Sequence, residues 1–149
     1  MAYIRKIVEI AANPELVYDL ICDVEKFPRY SDVIKEVKKS DPDTFYWKAH
    51  INGMWFEWTS VFVDKERPQH ISWRSISGMV NHGDYVLSAI PRGTKVSFTM
   101  EYHLPSHMIE TVLQPVFSPL IEKTFAEILL NIKKGIEEKN TAYSRPNNT

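Results

Sequence analysis

Five histidines, at positions 50, 70, 82, 103 and 107, are the residues whose types first suggest chemistry. None stands in a His-Glu-x-x-His or His-x-His spacing, and no cysteine cluster accompanies them. The pattern therefore predicts no metal site. There is also no Gly-x-Ser-x-Gly elbow and no Ser/His/Asp set, which argues against hydrolysis. Gly78 and Gly83 lack the strand-to-helix setting of a nucleotide loop, so they read as a flexible rim, and no cofactor is expected. Cys22, the single cysteine, sits in an apolar helical pattern without a second thiol and reads as a small core residue.

The richest remaining stretch is Trp55-Phe56-Glu57-Trp58-Thr59-Ser60-Val61-Phe62. In a strand, Phe56, Trp58, Ser60 and Phe62 share one face. Such a face either packs as plain core or lines a cavity, and aromatics at 12% of the chain exceed what a minimal core needs. Arg74 has two orientations open to it. Inside an apolar pocket a guanidinium would need a carboxylate, carbonyls or a ligand to offset its lost hydration. The parity of its own strand, set by Ile71 and Trp73, turns it outward instead.

These residues need elements to position them. Ile4, Val8 and Ile10 share one parity in a first strand. Asn13-Pro14-Glu15 then starts a short helix with an N-cap, a proline at the first position and an acid in the first turn. A second short helical turn is expected around Glu25 to Tyr30, because Phe27-Pro28 ends the first. From Val33 the punctuation is that of an antiparallel meander, with Asn52-Gly53 as its strongest hairpin signal. Strands are predicted over 33–39, 44–51, 54–63, 70–76, 84–90 and 94–104. Helical periodicity then runs from Ser106 to Lys139, with a break expected at Pro115 and Pro119. The domain is placed at residues 1–139, and the polar stretch 140–149 reads as a flexible tail.

At 149 residues the chain is large enough for one domain with its own core. Its 18 Lys and Arg against 19 Asp and Glu leave no basic excess for a phosphate backbone, so nucleic acid is excluded as a partner. No apolar run approaches membrane-spanning length and the N-terminus alternates, which reads as a soluble, cytoplasmic protein.

The order strand, two short helices, six strands, long helix resembles the START-like (Bet v 1-like, helix-grip) superfamily. Within it the likeness is to the polyketide cyclase/dehydrase group, which includes aromatase/cyclases and coenzyme Q-binding proteins. Carrying it are the stretch Ala12 to Asp19, then Asp23-Val24-Glu25-Lys26-Phe27-Pro28, then Gly78, Gly83 and Tyr85, and Gly93-Thr94 opening the last strand. The resemblance implies an α+β fold: a curved antiparallel sheet of about seven strands gripping the C-terminal helix, with a hydrophobic cavity between. The expected ligand contacts are Phe27, Trp47, Phe56, Trp58, Phe62, Phe98, Met100, Tyr102, Phe117 and Ile121. Phe62 stands where similar aromatase/cyclases carry an arginine. Arg74 falls at their second cavity arginine, and Tyr85 at a large aromatic.

Two functions follow from the resemblance. One is an aromatase/cyclase-like enzyme that folds a poly-β-ketone for aldol cyclisation and dehydration, with Arg74 stabilising enolate or alkoxide charge and Ser60 and Tyr85 as hydrogen-bonding partners. An enzyme of that kind would also contact an acyl carrier protein. The other is a non-catalytic carrier of a lipid, quinone or other hydrophobic small molecule, favoured by the missing arginine. A weaker third is a partner-binding module using Trp55 and Trp73. A monomer or weak homodimer is expected.

Overall fold

Asn13 caps the first helix as its type predicts: its Oδ1 accepts from the Leu16 N–H at 2.9 Å, and Pro14 opens α1 (Pro14–Cys22). In the computed structural model, which describes residues 2–107 and 109–144, α1 and a 3-10 segment (Val24–Arg29) follow strand β1 (Ala2–Ile10). Six more strands succeed them: β2 (Ile34–Asp41), β3 (Thr44–Ile51), β4 (Met54–Glu66), β5 (His70–Gly78), β6 (Asn81–Ile90) and β7 (Gly93–Tyr102). All pairings are antiparallel, in the order β1-β7-β6-β5-β4-β3-β2. The connection through α1 therefore carries the chain from one edge of the sheet to the other. Asn52 (φ 49°) and Gly53 (φ 84°) both take the left-handed conformation that a tight two-residue hairpin needs.

A five-residue π-helical turn (Ile109–Leu113) leads into α2 (Gln114–Ser144). The sheet wraps this helix, whose Phe117, Ile121, Thr124, Ile128, Leu129, Ile132 and Ile136 are buried. Polar ties reinforce the grip. Tyr102 Oη donates to Ser118 Oγ at 2.9 Å, Asn131 Nδ2 to the Tyr30 carbonyl at 2.7 Å, and Lys133 Nζ to the Glu9 carbonyl at 2.6 Å.

The expected break at Pro119 does not occur. Pro115 directly follows the π-helical turn, and the rings of Pro115 and Pro119 are both exposed, so a carbonyl left without a donor is close to water. Val112 and Val116, apolar residues within the stretch of helical periodicity, are exposed. The helix also outruns the boundary expected at residue 139. Gly135 does not end it, and no proline follows until Pro146. Residues 145–149 of the expected tail lie outside the described residues.

The Gly78 to Gly83 stretch is not a long flexible rim. β5 extends to Gly78 and β6 begins at Asn81, leaving only Met79 and Val80 between them. Gly83 pairs with Trp73 and Met100 inside the sheet. A Cβ there would strike the Thr99 carbonyl and come within 2.7 Å of the Trp73 ring. That glycine is therefore a packing residue.

Two bulges bend the middle of the sheet. Register shifts leave Val63 extra on β4 and Ile76 extra on β5, and both side chains are exposed. Bulged strands curve, which lets the 13-residue β4 follow the helix.

Candidate functional site

Between the sheet, α2 and the 3-10 segment lies a small, partly open pocket. Trp58, Ser60 and Phe62 of β4 form its floor beside Phe45 and Trp47 of β3. Trp73, Asn81, Tyr85 and Met100 close the far side, and Val24, Phe27 and Phe125 cover it. The period-two alternation puts these side chains together: in β3, Phe45, Trp47, Ala49 and Ile51 are buried while their neighbours are not.

The rings fall into two groups. Trp47 stacks on Trp58 at 5.5 Å and 12°, with Phe27 edge-on to Trp47 at 5.6 Å. Opposite, Trp73 stacks on Phe98 at 5.8 Å and Phe98 on Phe125 at 5.3 Å, while Tyr85 tilts against Trp73 and Phe98. The free space between the groups is about 30 Å³, room for a water or two. A small-molecule site needs roughly 300 Å³ or more. In this state the pocket is filled by its own aromatic side chains.

Among the lining residues there is no Lys, Arg, His, Asp or Glu. Several of the polar atoms are instead held by neighbouring groups. Trp47 Nε1 donates to Ser60 Oγ at 2.9 Å, Trp73 Nε1 to Asn81 Oδ1 at 3.0 Å, and Asn81 Nδ2 to the Met79 carbonyl at 2.9 Å. Burial pushes the Tyr85 phenol well above its ordinary pKa, with Cys22 adding to the shift, so it stays protonated.

Of the residues expected to line the cavity, Ser60, Tyr85, Phe27, Trp47, Trp58, Phe62 and Met100 do so. Phe56, Phe98, Tyr102, Phe117 and Ile121 are instead buried core behind or beside the wall. Phe56 meets Phe117 edge-on at 5.6 Å, Phe98 lies beneath Trp73, Tyr85 and Phe125, and Tyr102 is tied to Ser118. Arg74 is not in the site. It pairs with Val61 and His82 on the outer face of the sheet and is exposed, as the inward Ile71 and Trp73 require. Trp73 consequently is a wall residue and not a surface marker, whereas Trp55 is 55% exposed, stacked on His50 with the Lys48 ammonium over its ring.

Sequence reasoning missed Val24, Phe45, Trp73, Asn81 and Phe125 as wall residues. Parity in β3 and β5 carried the signal for Phe45 and Trp73, and the helix stripe for Phe125. Asn81, only 3% exposed, carried none, because it stood in a stretch that read as loop.

One polar cluster lies outside this pocket, on the other side of the sheet. His70 Nδ1 faces Asp64 Oδ2 at 3.2 Å and Nε2 faces Asp84 Oδ2 at 3.0 Å, while Thr99 Oγ1 donates to Asp84 Oδ1. The hydrogen bond with Asp84, followed by that with Asp64, raises the His70 pKa above its ordinary value. Ligand atoms of Asp64, Glu66 and His70 lie within 4.8 Å of one another, a grouping that runs across a hairpin and is therefore invisible as a linear motif. Both imidazole nitrogens face carboxylates, a setting that favours the doubly protonated ring, and in that form neither nitrogen has a lone pair to offer an ion.

The comparisons with known proteins bear on this arrangement. Residues 1–137 match the family described as polyketide cyclase / dehydrase and lipid transport. The chain belongs to that family. It is 24% identical over 148 residues to an uncharacterized protein of Mycobacterium tuberculosis, spanning 93% of this chain and 86% of the relative. The fold is shared with solved START-like structures. A Thermus thermophilus protein superposes with a TM-score of 0.80 at 21% identity, over 97% of this chain and 100% of the other. The Zhui aromatase/cyclase from Streptomyces sp. R1128 gives 0.78 at 14% over 97% and 99%. A START superfamily protein from Mycobacterium smegmatis gives 0.72 at 16% over 91% and 97%. Membership in the polyketide cyclase/dehydrase family thus agrees with a helix-grip sheet around a pocket. Among the described residues no helix is long and apolar enough to cross a membrane.

Proposed function

We propose that this protein binds a hydrophobic small molecule between its sheet and α2 and acts as a carrier, without chemistry of its own. The observation that supports this reading is the uncharged aromatic wall: the one cation expected at the site, Arg74, is exposed on the opposite face. Binding energy then comes from apolar burial, at roughly 25 cal/mol for each Å² removed from water. Because the rings fill the space, loading needs them to part. The half-exposed Phe62, Trp73 and Phe125 are the wall members with the most freedom to turn. Native mass spectrometry of the purified protein tests the reading. A bound mass of a few hundred daltons, released by organic solvent, is expected, on the scale of ligands that fill such pockets. Protein that stays empty and takes up no apolar ligand in titration would overturn it.

A second reading, aldol cyclisation of a poly-β-ketone delivered on an acyl carrier protein, draws support from the family and from the protonated Tyr85 phenol in the wall. Catalysis would then rest on folding the chain into one geometry, with Tyr85 and Ser60 as neutral donors. Turnover of a reactive polyketide mimic above the buffer rate, lost in Tyr85→Phe, would select it over the carrier.

A further inference from the structure

Lys65 stands where the charged surface comes up to the pocket. Beyond the bulge at Val63, β4 sets Lys65 opposite Ile71, a residue fully buried on the inner face. Paired residues share a face, so the lysine stem starts from the inner side of the sheet, while 40% of the side chain stays exposed. Its Nζ lies 5.4 Å from the centroid of the Phe62 ring, a half-exposed member of the pocket wall. The other cation found over a ring among the described residues is Lys48 above Trp55, and Trp55 is outside the pocket. Electrostatics place the Lys65 charge near the wall from a second direction. Burial pushes the Cys22 thiol up, the Lys65 ammonium is the largest opposing influence, and Cys22 in turn adds to the rise at Tyr85.

The ammonium is held by a partner it can exchange. Lys65 Nζ donates to Asp43 Oδ1 at 2.6 Å, and Asp43 sits between β2 and β3 with 46% of its side chain exposed. An ion pair as open as this one contributes little to stability, so trading Asp43 for another oxyanion costs little. Phe62 is one of the rings that must part for loading, so a ligand that enters past it leaves its last atoms beside the ammonium. Resting on the binding reading above, we propose that the ligand is an amphiphile with its apolar body in the pocket and a carboxylate or phosphate head at the rim, and that Lys65 selects the head by exchanging Asp43 for it. An anion held at the rim keeps part of its hydration and gains a cation, whereas inside the uncharged wall it would have neither. The flexible four-carbon stem lets the ammonium follow the head.

Isothermal titration calorimetry with four ten-carbon chains, each below its micelle-forming concentration, tests this: decanoate, decyl phosphate, decanol and decylamine. All need the rings to part, so their differences report the head. On the wild-type protein at least one anion should bind roughly fivefold tighter than decanol, the upper end for an ion pair open to solvent, and decylamine should bind weakest. An advantage for decanoate alone identifies a fatty-acid-type head, and one for decyl phosphate alone a phospholipid-type head. Lys65→Gln should bring the anions down to decanol's level, and Lys65→Glu should put decylamine ahead of them. Asp43→Asn, which keeps a residue type tolerant of the φ of 62° at that position, should tighten the anions by removing their competitor. Equal affinity of decanol and both anions on wild type would overturn this inference and leave the carrier reading standing, and so would an advantage that survives Lys65→Gln or a loss of anion affinity in Asp43→Asn. Failure of all four chains to bind would overturn both. The wild-type comparison decides without any variant, so a Lys65→Gln protein that failed to fold would not rescue the proposal.

Discussion

Trp73 and Arg74 are adjacent in β5 and end in opposite worlds, as do Tyr85 and Asp84 in β6. On the inner face, the row Trp73-Gly83-Met100 is apolar, with Met100 buried and Trp73 and Gly83 half-buried. On the outer face, the neighbouring rows hold Arg74-His82-Glu101 and Asp64-Ser72-Asp84-Thr99, with His82 Nε2 3.3 Å from a Glu101 oxygen. Period-two alternation alone makes the division, and no residue of the inner wall carries charge. Chemistry that needs a charged group is thus confined to a surface with no enclosed cavity, while the pocket keeps only neutral donors. This separation is the observation on which the proposed carrier reading rests, since a charge-stabilising catalyst would need a charged group on the inner face.

The comparison is broken most severely by removing bulk from the inner face. Phe98 is fully buried and touches Trp73, Tyr85 and Phe125 through its ring. Phe98→Ala should destabilise the protein by about 3–5 kcal/mol, the range for deleting a core phenyl ring. Denaturant unfolding would measure it, and a loss below about 1 kcal/mol would mean that the inner face is not the packed core described. A smaller effect is expected where the helix is tied to the sheet. Tyr102→Phe removes only the O–H that reaches Ser118, and should cost about 1 kcal/mol. In a double-mutant cycle with Ser118→Ala the two losses should not add, because they remove one bond.

The outer face is sharpened by pH. Hydrogen bonds to Asp84 and Asp64 raise the folded-state pKa of His70 above its ordinary value, the doubly donating imidazolium being the form both carboxylates favour. A raised pKa in the folded state means that this stabilisation is complete below the unfolded value, about 6.5, and is lost as pH climbs through the folded value. Melting temperatures of wild type and His70→Gln should therefore differ at pH 5.5 and converge on the alkaline side. A difference that grew with rising pH would mean that the ring is held neutral. The effect is modest because the site is partly open to solvent, with 28% of the His70 side chain exposed.

Most of this architecture was legible because it rests on local rules. The cap at Asn13, the paired positive φ angles at Asn52 and Gly53, and the alternation in β3 and β7 depend on neighbours in sequence. What was not legible depends on contacts across the sheet. Gly83 reads as a loop glycine until Trp73 is seen lying over it, and Asn81 until its amide is seen between Trp73 and the Met79 carbonyl. The split between wall and core among the aromatics was equally hidden. Phe98 and Met100 share a parity, and only the rings stacked on Phe98 from β5, β6 and α2 decide that it is covered while Met100 meets the cavity.

The smallest expected effect is the most diagnostic. Arg74 pairs with Val61 and His82 on the outer face, is exposed, and among the described residues forms no ion pair. Arg74→Ala should change stability by no more than about 0.5 kcal/mol, as for surface positions away from packed or capped features. It should also leave the affinity for an apolar ligand in the pocket within about twofold, since no hydrogen bond is lost and a twofold change is well under the range for one. A guanidinium that reached the ligand would behave otherwise, because a charged donor to a buried oxygen contributes about 1.5–3 kcal/mol, or roughly tenfold to hundredfold in affinity. A loss of that size would require β5 to shift register by one residue when the pocket opens. Such a slip would turn Trp73 out and Arg74 in, reversing the two faces that the closed protein keeps apart.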